Sequence, residues 1–124
     1  MWIFTSQGFI SVVAHRNHPQ RLLVRARAKK HLENLFPAIK SEIQETPNAD
    51  YGFRVVVERE LFATWIKKQA TKLDYDNFKN SIQEQVYHHA ANDVWAIMMD
   101  YQRGFYHQAH RELPDRDWDL DWND

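Results

Sequence analysis

Apolar positions along the chain follow two periods. Up to Glu58 they fall mostly in short runs with strand-like alternation, interrupted by one helical stretch. After Glu58 they recur at helical spacing. Trp2–Thr5 and Phe9–Ala14 are rich in aromatic and β-branched residues. Ser6-Gln7-Gly8 between them supplies a turn, with Gly8 free to take positive φ, so the pattern predicts an N-terminal hairpin. His15–Gln20, with Asn17 and Pro19, reads as a loop. Arg21–Arg27 predicts a third strand, with Leu22, Val24 and Ala26 on one side and Arg21, Leu23, Arg25 and Arg27 on the other.

A short helix follows over Lys29–Phe36, and Pro37 ends it, because the residue before a proline avoids helical geometry. Ser41–Glu45 reads as a weak strand and 46–50 as a turn. Tyr51–Glu58 is the best strand of the chain, and its Val-rich run predicts a central position. Phe62, Trp65, Ile66, Ala70 and Leu73 then predict a helix. Asp74 can cap a further one, with Phe78 and Ile82 on its apolar face. The last helix covers 85–103, with Val86, Ala90, Val94, Ile97, Met98 and Tyr101 on one arc and Tyr87, Ala91, Trp95 and Gln102 on a second. Arg103 and Gly104 are its stop signals.

The order ββ-β-α-β-β-α-α-α predicts an α+β fold. It suits a two-layer sandwich, a permuted ferredoxin-like antiparallel sheet followed by C-terminal helices. We expect one domain over 1–104 and an acidic aromatic tail over 105–124. A chain of 124 residues with 44% hydrophobic content suffices for one packed core and is too apolar for global disorder. The absence of cysteine excludes disulfides, thiolate metal sites and cysteine nucleophiles. No stretch reaches the roughly 20 apolar residues of a membrane span, and the N-terminus lacks a signal-peptide pattern. We therefore expect a cytoplasmic protein with no membrane partner.

Charge is unevenly divided. Residues 1–110 hold 14 Lys/Arg and 11 Asp/Glu, a net of +3, whereas 111–124 hold 2 Arg and 6 acids, a net of −4. The stretch 15–31 carries six Lys/Arg and no acid. A basic segment beside an acidic tail points to binding, or to self-masking, rather than to chemistry.

Several segments together resemble a widespread family of small uncharacterised bacterial and phage proteins. They are Trp-x-x-Thr-x-x-Gly-Phe-x-Ser-Val-Val from Trp2 to Val13, Val-Arg-Ala-Arg at Val24–Arg27, and His-Leu-Glu at His31–Glu33. Asp50-Tyr51, Leu-Asp-Tyr-Asp-Asn-Phe-Lys at Leu73–Lys79 and Asp-Val-Trp at Asp93–Trp95 complete the set. The resemblance spans residues 2–102. It implies a bacterial or phage origin and supplies no catalytic residue.

Five constellations carry candidate chemistry. Arg21, Arg25, Arg27, Lys29 and Lys30 can form a nucleic-acid face, where each cation releases counterions from a phosphate backbone and an exposed Phe9 or Phe53 stacks bases. The plainer alternative is a solvated face paired with Glu33, Glu58 and Glu60. In the tail, Trp118, Leu120 and Trp122 share one side of an extended strand, suited to docking on a partner or to masking the basic strand with the intervening aspartates. His107-x-x-His110, His88-His89 and His15-x-x-His18 fall short of the three or four converging ligands that zinc requires, so no metal is expected. Asp74–Asn77 and His31 are polar groups without a hydrolase elbow, a phosphate loop or a dinucleotide fingerprint around them. An enzyme is therefore the third reading, and no cofactor is expected. Trp65, Trp95, Met98 and Met99 at helical spacing are most simply core. Trp95 lies on a different arc from Ile97 and Met98, which makes a surface anchor the alternative, and a helix apolar on two arcs is either deeply buried or part of a dimer interface. The reading that results is a non-enzymatic interaction module binding a protein partner or itself. The alternative is RNA or DNA binding through the basic strand.

Overall fold

The structure, a computed structural model, describes the backbone of residues 1–109 and the side chains of 1–104. It forms an α+β protein built on a five-stranded antiparallel sheet. The strands are β1 (Trp2–Thr5), β2 (Gly8–Ala14), β3 (Arg21–Ala26), β4 (Gln44–Glu45) and β5 (Phe53–Glu58), in spatial order β1-β2-β3-β5-β4. The helices are α1 (Lys29–Leu35), α2 (Arg59–Thr71), α3 (Phe78–Ser81) and α4 (Gln85–Ala109). The chain divides into two compact units, Met1–Asp74 and Tyr75–Asp124.

In the first unit, alternation along the strands sorts side chains onto two faces. Ile10 and Val12 of β2, Leu22, Val24 and Ala26 of β3, and Val55 and Val57 of β5 are buried together with Leu32, Leu35 and Phe36 from the α1 region and Phe62 of α2. These residues form one core between the sheet and a helical layer. Phe36, Phe62 and Trp65 make a contiguous aromatic group, with centroids 4.9–6.5 Å apart. β5 sits inside the sheet, as its Val-rich run predicts, flanked by β3 and the two-residue edge strand β4.

Pro37 does more than end α1. It opens a 3₁₀ segment, Pro37–Glu42, because a proline costs nothing in a first turn whose N–H groups have no intrahelical acceptor. The predicted strand over Ser41–Glu45 is thereby shortened to Gln44–Glu45.

Gly8 is present for a different reason from the one its turn suggests. No glycine has positive φ. A Cβ built on Gly8 would lie 2.7 Å from both Cβ and Cγ of His31, so the bare backbone lets α1 close onto β2. The buried His31 then accepts the Phe9 N–H at Nδ1, 3.2 Å away.

In the second unit, Asn77 rather than Asp74 caps α3, accepting the Asn80 N–H at 3.0 Å. Glu84 precedes α4 and accepts the N–H groups of Val86 and Tyr87 on its two carboxylate oxygens, at 3.0 and 2.9 Å. This satisfies two of the unpaired donors of the first turn and places negative charge at the positive end of the helix dipole. α4 continues through Gly104 to Ala109 instead of stopping there.

Candidate functional site

The core-facing residues leave a second face on the sheet, away from α1 and α2. Register places Trp2, Ser11, Arg25, Arg54 and Gln44 in one row across all five strands. Phe4 and Phe9 lie opposite each other in the neighbouring row, their rings stacked at 4.4 Å, and Trp2 meets Phe9 edge-on at 6.0 Å. Trp2 is 69% exposed. Phe9 therefore shares the face of Arg25, whereas Phe53 packs against the core.

The centre of the row is held by arginines. Arg25 Nη2 donates to Ser11 Oγ at 2.9 Å, and its guanidinium carbon stands 4.6 Å from the ring centroid of the buried Tyr51. Arg27 stands 4.4 Å from the same ring and donates to the Asp50 carbonyl oxygen at 2.7 Å. One tyrosine thus carries two cations, each such contact stabilising by about 0.5–2 kcal/mol. Arg54 is directly opposite Arg25 and donates through Nε to Thr46 Oγ1 at 3.2 Å.

Two like charges facing each other across a ladder destabilise it. Among the described residues, neither Arg25 nor Arg54 has a carboxylate partner. The Arg25 Nε is also buried without a hydrogen bond, an omission that costs about 1–3 kcal/mol.

The predicted basic cluster is therefore partly assembled. Arg25 and Arg27 converge on Tyr51. Arg21 is drawn into an exposed ion pair with Glu58 at 3.0 Å, and Lys29 into one with Glu45 at 3.5 Å. Lys30 lies exposed in the first turn of α1. Sequence reading alone missed Arg54, Tyr51 and Ser11. Arg54 had a signal, since it alternates with Val55 and Val57, but its position opposite Arg25 depends on register.

The remaining candidates resolve differently. Trp118, Leu120 and Trp122 lie outside the described residues, as do the side chains of His107 and His110. Trp95 is half-buried and lies under the Lys79 ammonium, 4.0 Å from the ring centroid. His88 Nδ1 donates to the Lys79 carbonyl oxygen at 2.7 Å, which ties its ring to α3. The His15 and His18 rings are 4.9 Å apart, and the Asn17 N–H donates to His15 Nδ1. No group of three His, Asp or Glu side chains converges among the described residues. Asp74 and Asp76 are exposed, and Asn77 is occupied as a cap.

The two apolar arcs of α4 are buried unequally. Tyr87 and Ala91 are buried and Trp95 and Met99 half-buried, so the second arc faces inward. The main arc is solvent-facing: Val86 is 76% exposed, Ile97 64%, Met98 55% and Tyr101 66%. Both arcs are apolar, and periodicity does not say which of two apolar arcs turns inward.

No helix among the described residues is long and apolar enough to cross a membrane. Comparison with protein-family models, curated proteins and solved structures finds no match to this chain.

Proposed function

We propose that this chain is an interaction module, of bacterial or phage origin, that binds a protein through the outer arc of α4, and that the protein is a second copy of itself. One observation supports the reading: Val86, Val94, Ile97, Met98 and Tyr101 are all exposed on a single helix arc. The arc from residue 86 to 101 is about 23 Å long at the rise of an α-helix. Contiguous apolar surface of this extent, left exposed among the described residues, supports an interface.

The spacing suits antiparallel self-pairing. A two-fold axis between residues 95 and 96 sets Val94 against Ile97 of the second copy and the small Ala90 against Tyr101. This pairing of large with small residues gives close approach of two helices.

Sedimentation velocity across micromolar concentrations tests the proposal. We expect concentration-dependent dimers for the natural sequence and monomers for Ile97→Glu with unchanged circular dichroism. Burial of an isoleucine is worth about 1.5–3 kcal/mol, and a symmetric interface loses it twice, so the variant weakens association at least a hundredfold. A natural chain that stays monomeric throughout overturns self-pairing.

A further inference from the structure

A second binding surface follows from the sheet, independently of α4. Charge separates between the two units more sharply than along the sequence. Residues 1–74 hold 12 Lys/Arg and 7 Asp/Glu, a net of +5, whereas residues 75–124 hold 4 and 10, a net of −6. Within the basic unit, the second face of the sheet gathers three guanidiniums around one point. Arg25 and Arg27 share the Tyr51 ring, and Arg54 is the cross-strand neighbour of Arg25. Arg27 and Arg54 each spend one of their five N–H donors on a protein acceptor in the contacts described above, whereas Arg25 spends one on Ser11 and has its Nε buried, which leaves its remaining Nη donors and most of the donor fork of the other two for an anion.

A fold that needed only stability would not set two arginines opposite each other without an acid between them, because the pair repels. An anion between them removes that repulsion, and a phosphate suits it best, since guanidiniums bind phosphate oxygens with paired, planar hydrogen bonds. The same row ends at Trp2, two strands from Arg25. At the usual strand spacing that is about 10 Å from the arginine pair. Trp2 is 69% exposed and braced by Phe9, which is itself stacked on Phe4. An exposed aromatic beside paired arginines on a strand face offers a base platform beside a phosphate clamp.

We propose that this face binds single-stranded nucleic acid, with a backbone phosphate between Arg25 and Arg54 and a base stacked on Trp2. Single strands fit and duplexes do not, because stacking on Trp2 requires an unpaired base with a free face. The ligand lies over Arg25 and Arg54, across the strands rather than along them, and the buried Ser11 serves to hold the Arg25 guanidinium. Of the five cations that sequence alone suggests, the site uses Arg25 and Arg27. It leaves Arg21 and Lys29 in their ion pairs with Glu58 and Glu45 and adds Arg54.

The test is fluorescence anisotropy of labelled single-stranded RNA and DNA with the full chain, titrated at two salt concentrations. We expect binding that weakens with salt, with a logarithmic slope of about −0.7 for each phosphate engaged. Arg54→Gln should lower affinity and flatten the slope by about one phosphate while leaving the thermal midpoint unchanged or higher, since it removes the like-charge pair. Trp2→Ala should lower affinity roughly five- to a hundredfold, and Trp2→Phe should restore most of it. Lys67→Ala, which removes an exposed charge from α2, should change little.

The proposal is overturned by no binding at low salt, by equal affinity for duplex and single strand, or by equal losses from Lys67→Ala and Arg54→Gln. It is equally overturned if polyglutamate competes as well as the oligonucleotide at matched charge, which would make the face a site for an acidic protein segment.

Discussion

Replacing Gly8 by alanine tests the packing of α1 on the sheet, because two effects of opposite sign compete. The backbone at Gly8 does not have positive φ. In open space the substitution would therefore stabilise by about 0.4–1 kcal/mol, through reduced freedom of the unfolded chain. The space is not open. The added methyl would sit 2.7 Å from His31 Cβ and Cγ and 3.0 Å from its Cα, against the 3.5–4.0 Å at which carbon atoms make favourable contact. Cβ and Cα cannot move away by a rotamer change, so α1 itself must shift. Over-packing of this kind costs about 1–3 kcal/mol, and a shift of His31 also weakens the Phe9 N–H hydrogen bond, worth about 0.5–1.5 kcal/mol. The balance is a net loss of about 2 kcal/mol.

Urea unfolding followed by circular dichroism measures it as a lower midpoint with an unchanged slope. Combining Gly8→Ala with His31→Gly, which removes two of the three clashing atoms, should cost less than the sum of the single changes. A midpoint for Gly8→Ala equal to or above that of the natural chain would refute the close-approach explanation.

Two further outcomes can be checked in the same way. Tyr51→Phe should leave stability almost unchanged, since it keeps the ring that carries Arg25 and Arg27, whereas Tyr51→Leu should lose about 1–3 kcal/mol in urea unfolding. Glu84→Ala should cost about 1 kcal/mol and show as faster amide exchange at Val86 and Tyr87, whose N–H groups it leaves without the carboxylate.

β3 and β5 were legible in the sequence because each fully buries only one side, so alternation in Leu22–Ala26 and Val55–Val57 reports directly on the core. Other features depend on information that periodicity lacks. The arginine pair needs the register between β3 and β5, which no local pattern encodes. The inward arc of α4 is not legible because Val86, Ile97 and Met98 are as apolar as Tyr87 and Ala91, and only packing distinguishes them. Gly8 was read through backbone freedom, whereas its reason is a helix 23 residues further along. Asn77 rather than Asp74 is the cap because α3 begins at Phe78, directly after Asn77 and four residues past Asp74.

The strand order also governs how the sheet can assemble. β1 with β2, β2 with β3, and β4 with β5 are joined by short connections and form from local encounters. The pairing of β3 with β5 alone must close the 26 residues between Ala26 and Phe53. The chain entropy of that closure is about 3 kcal/mol above a length-independent constant. It must be met before Val24 and Val55 can share a core, so we expect the meeting of these two strands to limit the folding rate. The β1–β2 hairpin that carries Trp2 and Phe9 needs no such closure, whereas the row that joins Trp2 to Arg54 exists only once β3 and β5 have paired.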